Sequence, residues 1–284
     1  MDDSPCAVCG LRDTFTPFVR GLEQCANCGF VAYRRATVDE IATLYDESYF
    51  KGVEYPDYLG QEEALRRSMR RHLQQMRGSR ALGGSLLEIG CAYGLFLDEA
   101  RSHFTRVVGV DVCEAPVRHA RERFGLDARL GDVRELDLET ESFDVVCMWD
   151  TLEHLPAPDS FLRRAAELLR PGGSLFITTG DIGSRNARLR GPAWRQIHPP
   201  SHLSYFSRTT LGDLFDRLGF EVVRIETAAY YHTFYNILAA VAMRGGLLAP
   251  PARFALSTLG ERMARRLGLW INLGDIMFVE ARRT

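Results

Sequence analysis

The stretch "LLEIGCAYGLFLDEA", Leu86–Ala100, decides how this chain folds. Its opening residues continue an apolar run from Ser85, its later residues have the look of a helix, and Gly90 and Gly94 mark the bend between. A strand, a glycine bend and a helix in that order are a common nucleotide cradle, so the identity of the nucleotide is the first question. A dinucleotide fingerprint needs glycines at 90, 92 and 95, and the chain has Gly90, Ala92 and Leu95. A phosphate loop would end in Gly-Lys-Ser/Thr, and Gly94 is followed by Leu95 and Phe96. Neither phosphate cradle fits.

The same alternation continues outward. "RVVGVDV" reads as a second strand, and Glu114–Phe124 as a helix that tolerates Pro116 in its first turn. "DARLGD" and "FDVVCMWD" are strands three and four. In "PDSFLRRAAELLR" the apolar Phe161, Leu162, Ala165, Leu168 and Leu169 recur at helical spacing, and Pro171-Gly172-Gly173 stops that helix before strand five, "SLFITTG". A capped helix over Ser207–Leu218 precedes strand six, "EVVRIET", and "GDIMFVEARR" is strand seven. The pattern predicts an α/β fold, a doubly wound, mostly parallel seven-stranded sheet with helices on both faces. In such sheets ligands bind at the carboxyl ends of the strands.

Acids stand at those ends. Glu88 lies on the first strand, Asp111 ends the second and Asp132 the third. Carboxylates so ordered suit a ligand with ribose hydroxyls, an amine and a positive centre but no phosphate, an inventory that S-adenosylmethionine has. Together "LLEIGCAYG", "VVGVDV", "GDV", "WDTLEHLPAP" and "LLRPGGSLFITT" make residues 80–284 resemble the class I S-adenosylmethionine-dependent methyltransferases. The resemblance implies a Rossmann-like methyltransferase fold with the last strand antiparallel. It implies that Gly90 and Gly94 border the methionine moiety, Asp111 binds the ribose, Asp132 and Val133 flank the adenine, and Trp149 lies beside the ligand. Glu88, Cys91 and Val112 complete the expected cofactor-binding set. Cys91-Ala92-Tyr93 stands where the family often has glycines, which would tighten the pocket.

Ahead of this core, "CAVCG" and "CANCG" place Cys6, Cys9, Cys25 and Cys28 as two C-x-x-C pairs joined by a span long enough for a hairpin. Four thiolates at that spacing can close a tetrahedron, and the pattern resembles a zinc ribbon with a structural Zn2+. Cys91, Cys113 and Cys147 read as ordinary buried thiols. Three regions follow: a ribbon-like module over 1–36, a helical linker or lid over 37–80, and the methyltransferase domain over 81–284. Within the linker, Thr37–Tyr45 is predicted helical, with Thr37 and Glu40 forming a capping box. Tyr45, Tyr49, Tyr55 and Tyr58 either close over a ligand or pack their segment down. From Gln61 to Arg80 a helix buries Leu65, Met69, Leu73 and Met76, its arginines read as a solvated face.

The acceptor side is less regular. Asp150, Glu153 and His154 fall within one helical turn and resemble an element of quinone O-methyltransferases, where such groups hold a divalent ion; bracing the loop is the preferred role here. The long segment after strand five supplies His198 and His202 as candidate general bases, because a hydroxyl acceptor gains from a base with a near-neutral pKa. Arg185, Arg188, Arg190 and Arg195 read as surface or as partners for an anionic acceptor. Residues 230–272 form an apolar, arginine-edged helical insertion that shields the pocket, makes a homodimer or lies peripherally on a membrane.

A net charge of −2 argues against a nucleic-acid partner, and no apolar run is long enough to span a bilayer. With no export signal visible and thiols spaced for metal, a cytoplasmic setting is expected. The expected activity is methyl transfer to a small-molecule hydroxyl of a sugar, glycan precursor or secondary metabolite. The alternatives are an RNA methyltransferase that reads RNA through the zinc module, and a sugar C-methyltransferase.

Overall fold

The computed structural model describes residues 4–35, 58–77, 81–244, 249–259 and 261–284. The expected capping-box helix and Tyr45, Tyr49 and Tyr55 lie outside the described residues. Three short strands belong to the amino-terminal module, β1 (Phe15–Pro17), β2 (Glu23–Cys25) and β3 (Val31–Ala32), and β9 (Ser204–Tyr205) from later in the chain extends their sheet. The main sheet contains β4 (Ser85–Ile89), β5 (Arg106–Asp111), β6 (Asp127–Leu130), β7 (Phe143–Trp149), β8 (Leu169–Gly180), β10 (Phe220–Thr227) and β13 (Ile276–Arg283). A two-stranded ribbon pairs β11 (Tyr230–Thr233) with β12 (Gly268–Ile271).

The seven strands run in the order β10-β13-β8-β7-β4-β5-β6. β13 is antiparallel to both neighbours, while β8, β7, β4, β5 and β6 are mutually parallel. β4 and β5 lie side by side in register, with Glu88 opposite Gly109. Crossovers leave from the middle of the sheet in both directions, so the ends of β4 and β7 face the crevice that such a reversal opens.

Both faces are covered, which explains the near-continuous apolar strands. Leu86 of β4, Val145 and Cys147 of β7 and Phe278 of β13 point to one face, under the helices Glu62–Arg77, Leu95–Ala100 and Glu114–Phe124. Leu87, Ile89, Val146, Met148 and Val279 alternate to the other, under Pro158–Leu168 and Arg208–Arg217. Ser207 caps the last of these by accepting from Thr210 N, and Thr210 reciprocates.

Several expectations are adjusted. The helix before strand five ends at Leu168, and Arg170–Gly173 form an irregular excursion at the start of β8 instead of a stop ahead of it. The insertion is not helical alone: β11 and β12 close it at its base, with helices Phe234–Arg244, Ala249–Leu259 and Glu261–Arg266 between. The linker helix is not simply solvated. Arg66, at 12% side-chain exposure, reaches Glu62 at 2.8 Å and Asp98 and Glu99 at 2.9 Å, locking that helix to Leu95–Ala100. The long segment after β8 is pinned by a residue that no motif marks. Asp275, 1% exposed, accepts from Trp194 Nε1 and Asn186 Nδ2 at 2.8 Å and from Arg195 at 3.1 Å.

Candidate active site

At the carboxyl ends of the parallel strands lies a cavity of about 610 Å³, within the usual range for small-molecule sites. Both loop glycines have positive φ, 78° at Gly90 and 75° at Gly94. A Cβ at Gly90 would stand 2.5 Å from Thr151 Oγ1, and one at Gly94 2.7 Å from Leu126 Cδ1. The bend therefore requires glycine twice, for conformation and for room. Ala92 between them also adopts a left-handed φ, 44°, without glycine's freedom.

Glu88, Gly90, Cys91, Asp111, Val112, Asp132, Val133 and Trp149 all line this cavity; Gly94 instead shapes the bend from behind. Asp111 is held by two main-chain donors, Ala92 N at 2.8 Å and Cys113 N at 2.9 Å. Burial nonetheless pushes its carboxyl up from the usual range. Glu88 is 3% exposed, and its Oε2 has no hydrogen-bond partner among the described residues. Burial, reinforced by the nearby Asp111, raises its pKa well above normal. Asp132 differs: despite burial, the Arg134 guanidinium and Arg134 N, 2.9 Å from Oδ1, draw its pKa down.

This donor set fits a phosphate-free adenosyl sulfonium. Among the described residues, carboxylates from Glu88, Asp111, Asp132 and Asp150 face the cavity, and its one guanidinium, Arg134, is already bound to Asp132. Oxygens so placed can accept from hydroxyl and ammonium groups, and the orphaned Glu88 oxygen would gain a partner.

On the other side of the cavity sit Trp149, Asp150, Thr151 and His154. Asp150 is strained, with φ 47°, and its N donates to Thr178 Oγ1 at 2.8 Å. Both carboxylate oxygens accept from the Tyr230 hydroxyl, at 2.8 and 2.7 Å. Burial raises the pKa of Asp150, and that of Tyr230 as well. Trp149 stacks on His72, ring centroids 4.6 Å apart.

The candidate bases are placed differently from expectation. The imidazole that lines the cavity is His154, whereas neither His198 nor His202 does. His202 is 5% exposed and packs behind His154 at 4.5 Å between centroids, with His198 a further 3.8 Å from it. Burial, followed by the neighbouring His154 and His198, holds His202 well below its ordinary pKa. Both residues therefore stand outside the lining of this cavity. Glu153, His154 and His202 have ligand atoms within 4.8 Å of one another, so they form a compact buried polar knot. Sequence motifs also leave Tyr230, Thr178 and His72 unmarked. Tyr230 and His72 belong to no recognisable pattern, and only the fold brings them near Trp149 and Asp150.

The four module cysteines converge as expected. Their sulfurs all lie within 4.8 Å of each other, with Cys6–Cys28 at 3.6 Å and Cys9–Cys25 at 3.7 Å. Tetrahedral zinc with sulfurs at ~2.3 Å demands sulfur–sulfur spacings of ~3.8 Å, so the set fits that ion. Although burial opposes it, the Thr14 hydroxyl 3.1 Å from Cys25 Sγ and nearby main-chain donors lower that thiol to about 6.

A doubly wound sheet with carboxylates at its strand ends and a cavity beside them has the Rossmann-like arrangement of the methyltransferase fold. The family described as a methyltransferase domain matches residues 61–225, more than half of the chain, and the chain belongs to it. Over 166 residues it is 32% identical to a Mycolicibacterium smegmatis protein named "Probable S-adenosylmethionine-dependent methyltransferase", covering 57% of this chain and 62% of that one. It is 36% identical over 157 residues to the ubiquinone biosynthesis O-methyltransferase of Hahella chejuensis, covering 48% of this chain and 66% of the relative. The chain thus spans slightly under two thirds of the length of these relatives. A methyltransferase-like crystal structure from Bacillus halodurans C-125 shares the fold at a TM-score of 0.51 and 15% identity, over 70% of this chain and 93% of that one.

Proposed function

We propose that this chain transfers a methyl group from S-adenosylmethionine to the hydroxyl of a small molecule such as a sugar, a glycan precursor or a secondary metabolite. The observation that carries the donor assignment is the buried, orphaned Glu88 oxygen beside Asp111 at the ends of adjacent strands. When bound, the donor supplies an electrophilic methyl on a sulfonium. Asp111 would hold the ribose hydroxyls, Glu88 would face the positive end, and Asp132 with Val133 would flank the adenine. Methyl transfer is an in-line displacement, so the protein's contribution is alignment and a lone pair on the acceptor oxygen. Asp150 would serve that role. Tyr230 fixes its carboxylate, burial raises its basicity, and it lies in the cavity wall with His154. His198 and His202 would support the wall behind His154.

The Hahella relative's name supports a hydroxyl acceptor; the sugar-like class is our inference from the polar wall formed by Asp150, Thr151 and His154. We further propose that the four cysteines hold structural zinc. Calorimetry with S-adenosylmethionine and its demethylated product tests the donor assignment. Micromolar binding of either is expected, and no heat from both would end it.

A further inference from the structure

We infer that the cysteine module is a working part of the acceptor side, and that through the pairing of β3 with β9 it sets the position of His154 in the cavity wall. This rests on the functional reading above for what the wall does, but the coupling itself is a matter of hydrogen bonds.

The connection has three steps. The module's last strand, β3, pairs antiparallel with β9, Val31 opposite Tyr205 and Ala32 opposite Ser204, and Tyr33 N donates to Leu203 O at 2.8 Å. On its other side the same Leu203 donates its N–H to Glu153 O at 2.8 Å. One residue on, His154 is held by its Nδ1, 2.8 Å from Ser201 O. The segment 201–205 is therefore clamped between the module and the turn that presents His154 to the cavity.

Apolar contacts reinforce the clamp. Leu22 and Val31 of the module share a cluster with Trp194, Ile197 and Tyr205, and Phe30 lies 5.2 Å from Phe206, ring to ring. Arg20 adds a hydrogen bond to Ile197 O at 3.2 Å. The module's own strands are two or three residues long, too short to persist without a metal to tie their ends. Metal at Cys6, Cys9, Cys25 and Cys28 is then what keeps β3 in register, and β3 is what β9 leans on. With Leu87, Ile89, Val108 and Val110 of the donor strands the module shares the apolar core, but no hydrogen bond among the described residues. The coupling should therefore be one-sided.

The test uses the full chain, with zinc content measured alongside hydrogen exchange. Stripping the metal with a chelator should speed exchange across 150–155 and 200–206 by about tenfold or more. Exchange across 85–111 and affinity for the demethylated donor product should stay within about threefold. Tyr33→Pro removes the N–H given to Leu203 while sparing every cysteine. It should retain zinc yet show the same faster exchange, and raise KM or lower kcat for an accepted hydroxyl substrate; Tyr33→Phe should restore both. If the stripped chain precipitates, the Tyr33→Pro comparison decides. Loss of zinc or of the Tyr33 N–H with protection at 200–206 unchanged would reduce the module to a tether and overturn the inference. Absence of donor-product binding in the untreated protein would instead strike the functional reading, leaving the exchange result to stand by itself.

Discussion

The two halves of the cavity are built in different ways. On the proposed donor side, Glu88, Gly90, Asp111 and Asp132 come from consecutive strand ends and the bends that follow them, and main-chain geometry positions them. On the acceptor side, Asp150, Tyr230 and His154 are tied to distant segments, through the hydroxyl of one residue and the carbonyl of another. Tyr230 reaches Asp150 across 80 positions of sequence, and Ser201 reaches His154 across 47. A site made by backbone order keeps one ligand; a site made by long-range side-chain bonds can be rebuilt for another without disturbing the first.

If the halves are as separate as this, substitutions should divide cleanly. The largest effect is expected at Asp111→Ala. Losing the two charge-assisted hydrogen bonds proposed to ribose should cost about 3–6 kcal/mol, or roughly a thousandfold in donor affinity by calorimetry. Unchanged affinity would remove Asp111 from the donor half. Next comes Asp150→Asn, which keeps the left-handed backbone accessible and removes the proposed base. Turnover should fall about a hundredfold with donor affinity nearly unchanged. A parallel collapse of donor binding would merge the two halves into one.

A smaller effect probes what lies behind Trp149. Burial holds His72 and His154 neutral, with pKa values lowered from 6.5 to about 4. The unfolded chain binds protons below pH 6.5 that the fold refuses, so these groups cost stability as pH falls from 6.5 toward 4. His72→Phe keeps the ring stack and removes one of them. Its melting temperature should drop less than wild type's between about pH 6.5 and 5, a difference on the order of 1–2 kcal/mol. Equal slopes would mean that His72 is already charged or solvated. The smallest change is expected at Ala92→Gly. Relief of the positive φ, partly offset by a more flexible unfolded chain, should stabilise by about 0.5 kcal/mol in denaturant melts, with donor affinity intact.

The same contrast explains which parts of the molecule are legible in the chain itself. Strand-end acids sit one per β-α unit, so Glu88, Asp111 and Asp132 follow from pattern, and all reach the cavity. The C-x-x-C pairs carry their geometry in their spacing, and the sulfurs do converge. His198 and His202 stand out because their segment is long and polar, but such a pattern carries no information about depth. Both lie behind His154, in a stack that depends on β9 lying against the module. Tyr230 reads as the beginning of an insertion, since nothing local marks a tyrosine whose partner is Asp150. The arginines of Glu62–Arg77 mislead for a related reason. Helical periodicity separates apolar from polar faces, but it does not tell that a polar face meets Asp98 and Glu99 of another helix.

The two residues of β9 also impose an order of events during synthesis. β3 leaves the ribosome early with an open edge, and the strand that covers it is made some 170 residues later. Until Ser204 and Tyr205 arrive, that edge is exposed to pairing with other chains, a recognised route to aggregation. Early capture of the proposed zinc by the cysteines would compact the nascent module while it waits, so on that proposal a shortage of the ion during translation should be more damaging than its removal from finished protein.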